Sequence, residues 1–309
     1  MGYAPVTKLR QVAALQGRSF QLSIQIRLMT DDDVATCGSI CFEAFKGISS
    51  KHNFPWDFPN AESAIQLTQA LRSNPRVFSI VAVEDGRIIG SNHLWEYDEI
   101  RAVGPITVDP ATQAKGVGRT LMQAVIERGQ GSKGIRLIQD AYNSASLSLY
   151  ASLGFDVREP LIHMEGVVEG QVPAEYEVRK LETNDLAECA ALCRNAIGTD
   201  RTNELVATPP VFPSFVAIRD GRIRAYATAP HFWALNHAVA ETNDDMQVLL
   251  IGACSLGNMN LLSFLFPSRQ ADLLRWLLKH GVRIVKPLNL MSMGHYEDPK
   301  LVYIPSVGY

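Results

Sequence analysis

The segment Ile26–Cys37, reading IRLMTDDDVATC, returns 152 residues later as VRKLETNDLAEC at Val178–Cys189. Both pass from an apolar, β-rich run through an acidic cap into a helical pattern. VAVEDGRI at Val81–Ile88 returns as VAIRDGRI at Val216–Ile223, now 135 residues on, and both read as hairpins about an Asp-Gly turn. PLIHM at Pro160–Met164 returns as PLNLM at Pro287–Met291, only 127 residues on. The chain is therefore a tandem repeat whose second copy has lost loops. Its 309 residues match the usual length of two domains. The boundaries read as an extension over 1–23, a first domain over 24–167, a linker over 168–176 and a second domain over 177–309.

In the first copy, Gly104-Pro105-Ile106-Thr107-Val108 is β-rich and Asp109-Pro110 ends it as a turn. From Arg119 onward Leu121, Met122, Val125 and Ile126 recur at helical spacing. Between strand and helix lies Gln113-Ala114-Lys115-Gly116-Val117-Gly118. The first N–H groups of a helix lack internal partners and its macrodipole adds partial positive charge, so a glycine-spaced helix start can cradle a pyrophosphate. Lys115 and Arg119 add full charges. The bland reading is that the glycines serve a tight turn and close packing. Other phosphate loops are excluded. A Walker loop needs Lys-Ser/Thr after its second glycine, where Arg119-Thr120 stands, and Leu121 occupies the place of a dinucleotide fingerprint's third glycine.

A second segment, Leu137–Phe155, is a short strand, a polar turn and a helix. Asn143 or Ser144 can cap that helix, Leu147, Tyr150 and Leu153 form its apolar face, and Gly154 stops it. Together, Gln-x-x-Gly-x-Gly after a strand and Asn-x6-Tyr-x3-Gly-Phe about thirty residues later resemble the acyl-CoA-binding motifs of the GCN5-related N-acetyltransferase (GNAT) superfamily, over roughly Ile24–Gly166.

The resemblance implies an α/β (α+β) class built of two tandem GNAT folds, each a central mixed, mostly antiparallel sheet flanked by helices. It implies acetyl-CoA as cosubstrate and direct transfer of the acetyl group to a primary amine of a small acceptor. Ile106, Thr107 and Val108 would meet the pantetheine arm, and the Ile106 N–H would polarise the thioester carbonyl. Gln113, Ala114, Lys115, Gly116, Val117, Gly118 and Arg119 would hold the pyrophosphate. Asn143 would orient the pantetheine, and Tyr150 would protonate the leaving thiolate; its bland reading is core packing. Many relatives carry a glutamate four residues before the oxyanion donor, and here that position is Ala102. The base is therefore open among His93, Glu96, Asp98, Glu99 and ordered water. The rival reading is a non-catalytic acyl-CoA-binding or regulatory protein.

The second copy departs further. Ala240-Glu241-Thr242-Asn243-Asp244-Asp245 stands where its phosphate loop would be, and three acidic residues there oppose an anion. This half reads as a degenerate GNAT-like domain, either shaping the site of the first or only stabilising it. The long loop Phe45–Pro59, which carries Phe54, Trp56 and Phe58, reads either as aromatic packing into a helix-loop-helix corner or as the place for acceptor specificity, and the apolar end Ile304–Tyr309 reads as docking near the first domain.

A net charge of −3 does not favour a nucleic-acid partner, and no apolar run is long enough for a membrane span. The first residues lack a signal-peptide core and a myristoylation motif, which points to the cytoplasm. Cys37/Cys41 and Cys189/Cys193 read as small core residues in place of metal ligands, so no metal is expected. Oligomeric state stays open, a homodimer being one arrangement.

Overall fold

The structure, a computed structural model, describes residues 24–112, 116–256 and 261–308. The expected extension over 1–23, the loop residues Gln113, Ala114 and Lys115, and Tyr309 lie outside these. The first half runs β1 (Gln25–Leu28), α1 (Val34–Lys51), α2 (Ala61–Ser73), β2 (Val77–Glu84), β3 (Arg87–Trp95), β4 (Ile100–Val103), β5 (Thr107–Val108), α3 (Val117–Arg128), β6 (Gly134–Asp140), α4 (Ser144–Ser152) and β7 (Asp156–Gly166). The second runs β8 (Tyr176–Lys180), α5 (Leu186–Ile197), α6 (Thr202–Ala207), β9 (Phe215–Arg219), β10 (Arg222–Ala227), β11 (Ala238–Ala240), α7 (Asn243–Leu256), β12 (Leu262–Pro267), α8 (Ala271–Lys279), β13 (Arg283–Gly294) and β14 (Val302–Ile304). Both are mixed α/β with largely antiparallel sheets.

The repeat holds at atomic detail. Before α1, Arg27 donates to both carboxylate oxygens of Asp33 at 2.6 and 2.9 Å while the Thr30 N–H donates to Oδ2 at 2.7 Å. Before α5, Arg179 and the Glu182 N–H bind Asp185 at the same three distances. One short carboxylate thus ties a strand end to a helix start in each half. The hairpins repeat too, with Asp85-Gly86 at φ 51° and 77° and Asp220-Gly221 at 54° and 71°, as a primed two-residue turn requires.

The sheets do not divide as the sequence does. One sheet runs β1-β2-β3-β4-β6-β13-β7-β12, with β5 on β3, and the other runs β14-β11-β10-β9-β8. The second half's β13 therefore lies between β6 and β7 of the first half, antiparallel to both. The first half's β7 in turn pairs with β12 of the second. Equivalent strands have been exchanged between the two copies. Leu161, Leu265, Leu288 and Leu290 along this seam are buried in one cluster with Ile100 and Ala102 of β4 and with Leu192, Cys193 and Ala196 of α5. Burying each such leucine contributes about 1.5–3 kcal/mol, so the halves do not separate cheaply.

Two other cores fill the sheet faces. Ile80, Ala82 and Ile89 meet Leu121, Met122 and Val125 of α3, whereas Val81 meets Cys37 of α1, so α1 and α3 cover opposite faces. The cysteines of α1 and α5 are buried, and burial pushes the Cys37 and Cys41 thiols up to about 12. No helix among the described residues is long and apolar enough to cross a membrane.

The C-terminal segment docks. The Arg201 guanidinium donates to Tyr303 at 3.0 Å and Ser306 at 2.8 Å, the Val307 N–H donates to the Ala234 carbonyl at 3.1 Å, and Gly308 lies against Trp95 of the first half. Asp98 of the first half accepts from the Asn203 and Glu204 N–H groups at the start of α6.

The paired aspartates carry a pH prediction. The Arg27 guanidinium and the Thr30 N–H hold Asp33 well below the usual carboxylate range, and Arg179 lowers Asp185 likewise. A depressed carboxylate stabilises the fold fully above its unfolded value, about 3.9, and loses that contribution as pH falls towards its folded value. Asp33→Asn and Asp185→Asn should each cost about 1–2 kcal/mol at neutral pH, and the gap to wild type should close below about pH 4. Urea unfolding across that range checks this; a gap independent of pH would contradict it.

Candidate active site

β4 and β6 pair in parallel from Ile100/Gly134 to Val103/Leu137 and then part. After Val103 the chain turns off through Gly104, at φ 135°, and a cis Gly104–Pro105 peptide. It resumes as β5, which pairs with β3 at Gly90/Val108 and Ser91/Thr107. Gly90 permits this, because a Cβ there would sit 2.6 Å from the Thr107 carbonyl. Beyond Leu137 no strand among the described residues bonds the β4-facing edge of β6. A wedge is left between Ile106–Val108 and Ile138–Asp140. Ile106 is half-buried at its lip, and among the described residues its N–H makes no hydrogen bond.

The α3–α4 face of the wedge carries the expected cofactor residues. Gly116, at φ 97°, is the N-cap of α3 and brings no side chain to its first turn; a Cβ there would meet nothing within 4 Å. Val117 is buried and Gly118 packs near Leu149 of α4, with an added Cβ at 3.3 Å. Arg119 is exposed and donates to Ser152 at 2.7 Å, joining α3 to α4 at the rim. Asn143 caps α4 by accepting from the Ser146 N–H at 3.2 Å, and its own carbonyl accepts from Gln139 at 2.9 Å. Tyr150 is nearly buried beside Phe155. Burial, with the Asp140 charge adding, holds its phenol well above its ordinary value, so it is a protonated donor at neutral pH. This face suits a nucleotide thioester: an uncapped, glycine-started helix for phosphate oxygens and an extended edge for amides.

The candidate bases on and after β3 are engaged elsewhere. His93 bonds Ser79 at 2.8 Å and burial pushes it down to about 3, leaving it neutral. Glu96 pairs with Arg128 at 2.9 Å, Glu99 with Lys133 at 2.7 Å, and Asp98 binds the α6 start. Ala102 is fully buried in the apolar seam between the halves, where a carboxylate would be left without partners.

The opposite face carries a group that local spacing did not reveal. Gln139 points to α4, so its neighbour Asp140 points the other way, towards α1 and the second half. There Lys286 Nζ, on the exchanged β13, lies 2.5 Å from Asp57 Oδ1 and 2.8 Å from Asp140 Oδ1. The three side chains are 3, 5 and 9% exposed, in the order Lys286, Asp57, Asp140. Trp233, from the second half's β10–β11 connection, lies over the Lys286 ammonium at 5.4 Å. Asp57 belongs to the segment expected to set specificity, whose residues 45–51 prove to be the last turns of α1 and whose loop is only 52–59. That loop is pinned by Phe54, stacked on Tyr142 at 4.4 Å and 18°, and by Phe45 against Phe58. Trp56 is exposed and lies over Lys46 instead. His163, beside Lys286 across β7, bonds Ser263 at 2.8 Å and is pushed down by burial and the Lys286 charge to about 4.

The second half differs at each equivalent point. β14 pairs with β11 at Ala238/Ile304, Val239/Tyr303 and Ala240/Val302, and lies alongside β12, in the gap that is the wedge of the first half. The start of α7 is acidic; Asp245 is buried and accepts from Thr242 and Tyr176, each at 2.6 Å.

The Acetyltransferase (GNAT) family profile matches residues 45–155. No curated protein matches the chain significantly. Among solved structures, a Pyrococcus horikoshii protein assigned as an acetyltransferase superposes with a TM-score of 0.71, at 19% identity, over 96% of this chain and 98% of its own. A GCN5-related N-acetyltransferase from Sphaerobacter thermophilus superposes with a TM-score of 0.58, at 14% identity, over 89% and 96%. A tandem GNAT protein from the clavulanic acid biosynthesis pathway superposes with a TM-score of 0.55, at 11% identity, over 88% and 98%. These likenesses extend the shared fold over both halves. Residues 45–155 are thus a GNAT-family segment of the first half, and the solved structures share the fold over both halves.

Proposed function

We propose that the protein is an acetyl-CoA-dependent N-acetyltransferase that acetylates a primary amine of a small acceptor at one site, the wedge of the first half. The observation that carries this is the asymmetry between the copies. One keeps an open wedge beside an uncapped, glycine-started helix; in the other, β14 stands in the gap and the helix start is acidic. An anion favours the first by the helix dipole and is repelled at the second.

Acetyl-CoA supplies an activated thioester, and the chain supplies the surroundings. The N–H groups at Gly116–Arg119 would bind the pyrophosphate, with Gln113, Ala114 and Lys115 completing the loop. Thr107 and Val108 would align the pantetheine through backbone groups, with Asn143 at the far side. The unengaged Ile106 N–H would donate to the carbonyl, a contact that strengthens as negative charge develops there. Tyr150 would give a proton to the departing sulfur.

Calorimetric titration of acetyl-CoA should give one site per chain, and Gly116→Asp should weaken it by at least about tenfold by placing a negative charge at the helix start. Two sites, or none, would contradict the reading. Tyr150→Phe should retain acetyl-CoA affinity while lowering kcat by about 100-fold. A protein that only senses acyl-CoA would show turnover in neither form.

A further inference from the structure

We propose that Asp57, Asp140 and Lys286 form the binding site for the acceptor's ammonium group and that Asp57 is the base that takes its proton. This rests on the acetyl-transfer reading and fills the role that Ala102 leaves vacant.

Position is the first argument. The parallel pairing ends at Val103/Leu137, and Ile106 and Asp140 each lie three residues beyond it, on the two segments that part to form the wedge. The cluster therefore borders the reacting end of the wedge, on the face opposite α3 and α4. Charge balance is the second. Two carboxylates share one ammonium among side chains less than 10% exposed, leaving an excess of one negative charge in a dry site. Such an excess is costly unless a proton or a further cation joins it. The third is an under-used valence: Asp57 Oδ1 is held by Lys286 and Ser49 of α1 lies beside the carboxylate, yet the buried Oδ2 has no hydrogen-bond partner of good geometry. A primary ammonium ion meets both needs, as a cation and as a donor. An anionic or uncharged acceptor meets at most one.

Asp57 faces Lys286 from β13, Asp140 from β6, Cys41 and Ser49 from α1, and Tyr142 from the β6–α4 turn; His163 on β7 lies behind Lys286. Burial raises its carboxyl above the usual range; Lys286 opposes this and the Asp140 charge adds to it. Burial works against the Lys286 charge, yet the two carboxylates outweigh it and hold its ammonium above the ordinary value. Lys286 is thus a fixed cation that positions the carboxylates, and Asp57 is a proton acceptor stronger than a solvated aspartate.

The step balances. The acceptor ammonium gives one proton to Asp57, and the freed lone pair forms the C–N bond at the thioester carbon. The C–S bond breaks with its electron pair on sulfur, Tyr150 protonates that sulfur, and the second proton leaving nitrogen restores Tyr150. Asp57 returns its proton to solvent.

The test uses the full chain with CoA bound and three ammonium probes, n-butylammonium, phenethylammonium and 1,4-diaminobutane, each against its alcohol counterpart. At least one ammonium should bind about tenfold more tightly than its alcohol. Asp57→Asn, which keeps the shape, should remove that preference while leaving CoA affinity unchanged. Lys286→Met should bind the ammonium at least as tightly at mildly alkaline pH, since a competing cation is gone. Its binding should also fail at a higher pH on acidification, because carboxylates without a cationic partner protonate sooner. If Lys286→Met does not fold, the Asp57→Asn result decides. No ammonium preference, or a preference that survives Asp57→Asn, would overturn the proposal and leave the cluster as a staple between the halves. Wild type that fails to bind CoA would instead remove the acetyl-transfer reading, and this proposal with it.

Discussion

The backbone hydrogen bonds of β13 hold the molecule together, because they run to β6 on one side and to β7 on the other. A strand from the second half thereby completes the sheet of the first, and the first half's β7 is surrounded by strands of the second. The nine-stranded sheet cannot form from one half alone, whereas the five-stranded sheet is built wholly of second-half strands. The exchange also decides which residues border the wedge. Lys286 reaches Asp57 and Asp140 only because its strand has crossed over, and Trp233 comes with the half that delivers it.

The two copies of the fold differ at the gap between their parted strands. The first keeps the gap between its parted strands. In the second the chain's own β14 lies in the corresponding gap, fastened by Arg201 through Tyr303 and Ser306. Its α7 start is capped by Thr242 and carries buried Asp245, so the dipole that could attract phosphate already has a fixed anion. The second half's α5 packs with Ile100 and Ala102 of β4. A carboxylate in place of Ala102 would be buried in that apolar cluster without a partner.

Features set by a few adjacent residues were legible in the sequence. The Asp-Gly hairpins, the acidic caps of α1 and α5 and the Gly154 stop follow from local backbone preferences and lie where the patterns put them. The break at Gly104-Pro105 was not: Gly104–Val108 reads as one β-rich run, whereas the chain leaves β4 there and pairs again only at Thr107–Val108. The strand exchange was not. PLIHM and PLNLM have the same alternation, and nothing local tells β6 which of two near-identical partners to take. Asp57 stood in a segment noted for its aromatic residues, while its cation is 229 residues away in a strand that reads as ordinary. Glu96, Asp98 and Glu99 looked available because their partners Arg128, Asn203 and Lys133 are distant in sequence.

Of the two copies of the fold, only the first has an open wedge among the described residues. Hydrogen exchange of the full chain with and without acetyl-CoA tests this most directly. Protection should rise at residues 104–108, 116–120 and 139–150 and stay unchanged at 238–246 and 302–308. Equal protection in both sets, or protection confined to the second, would contradict it.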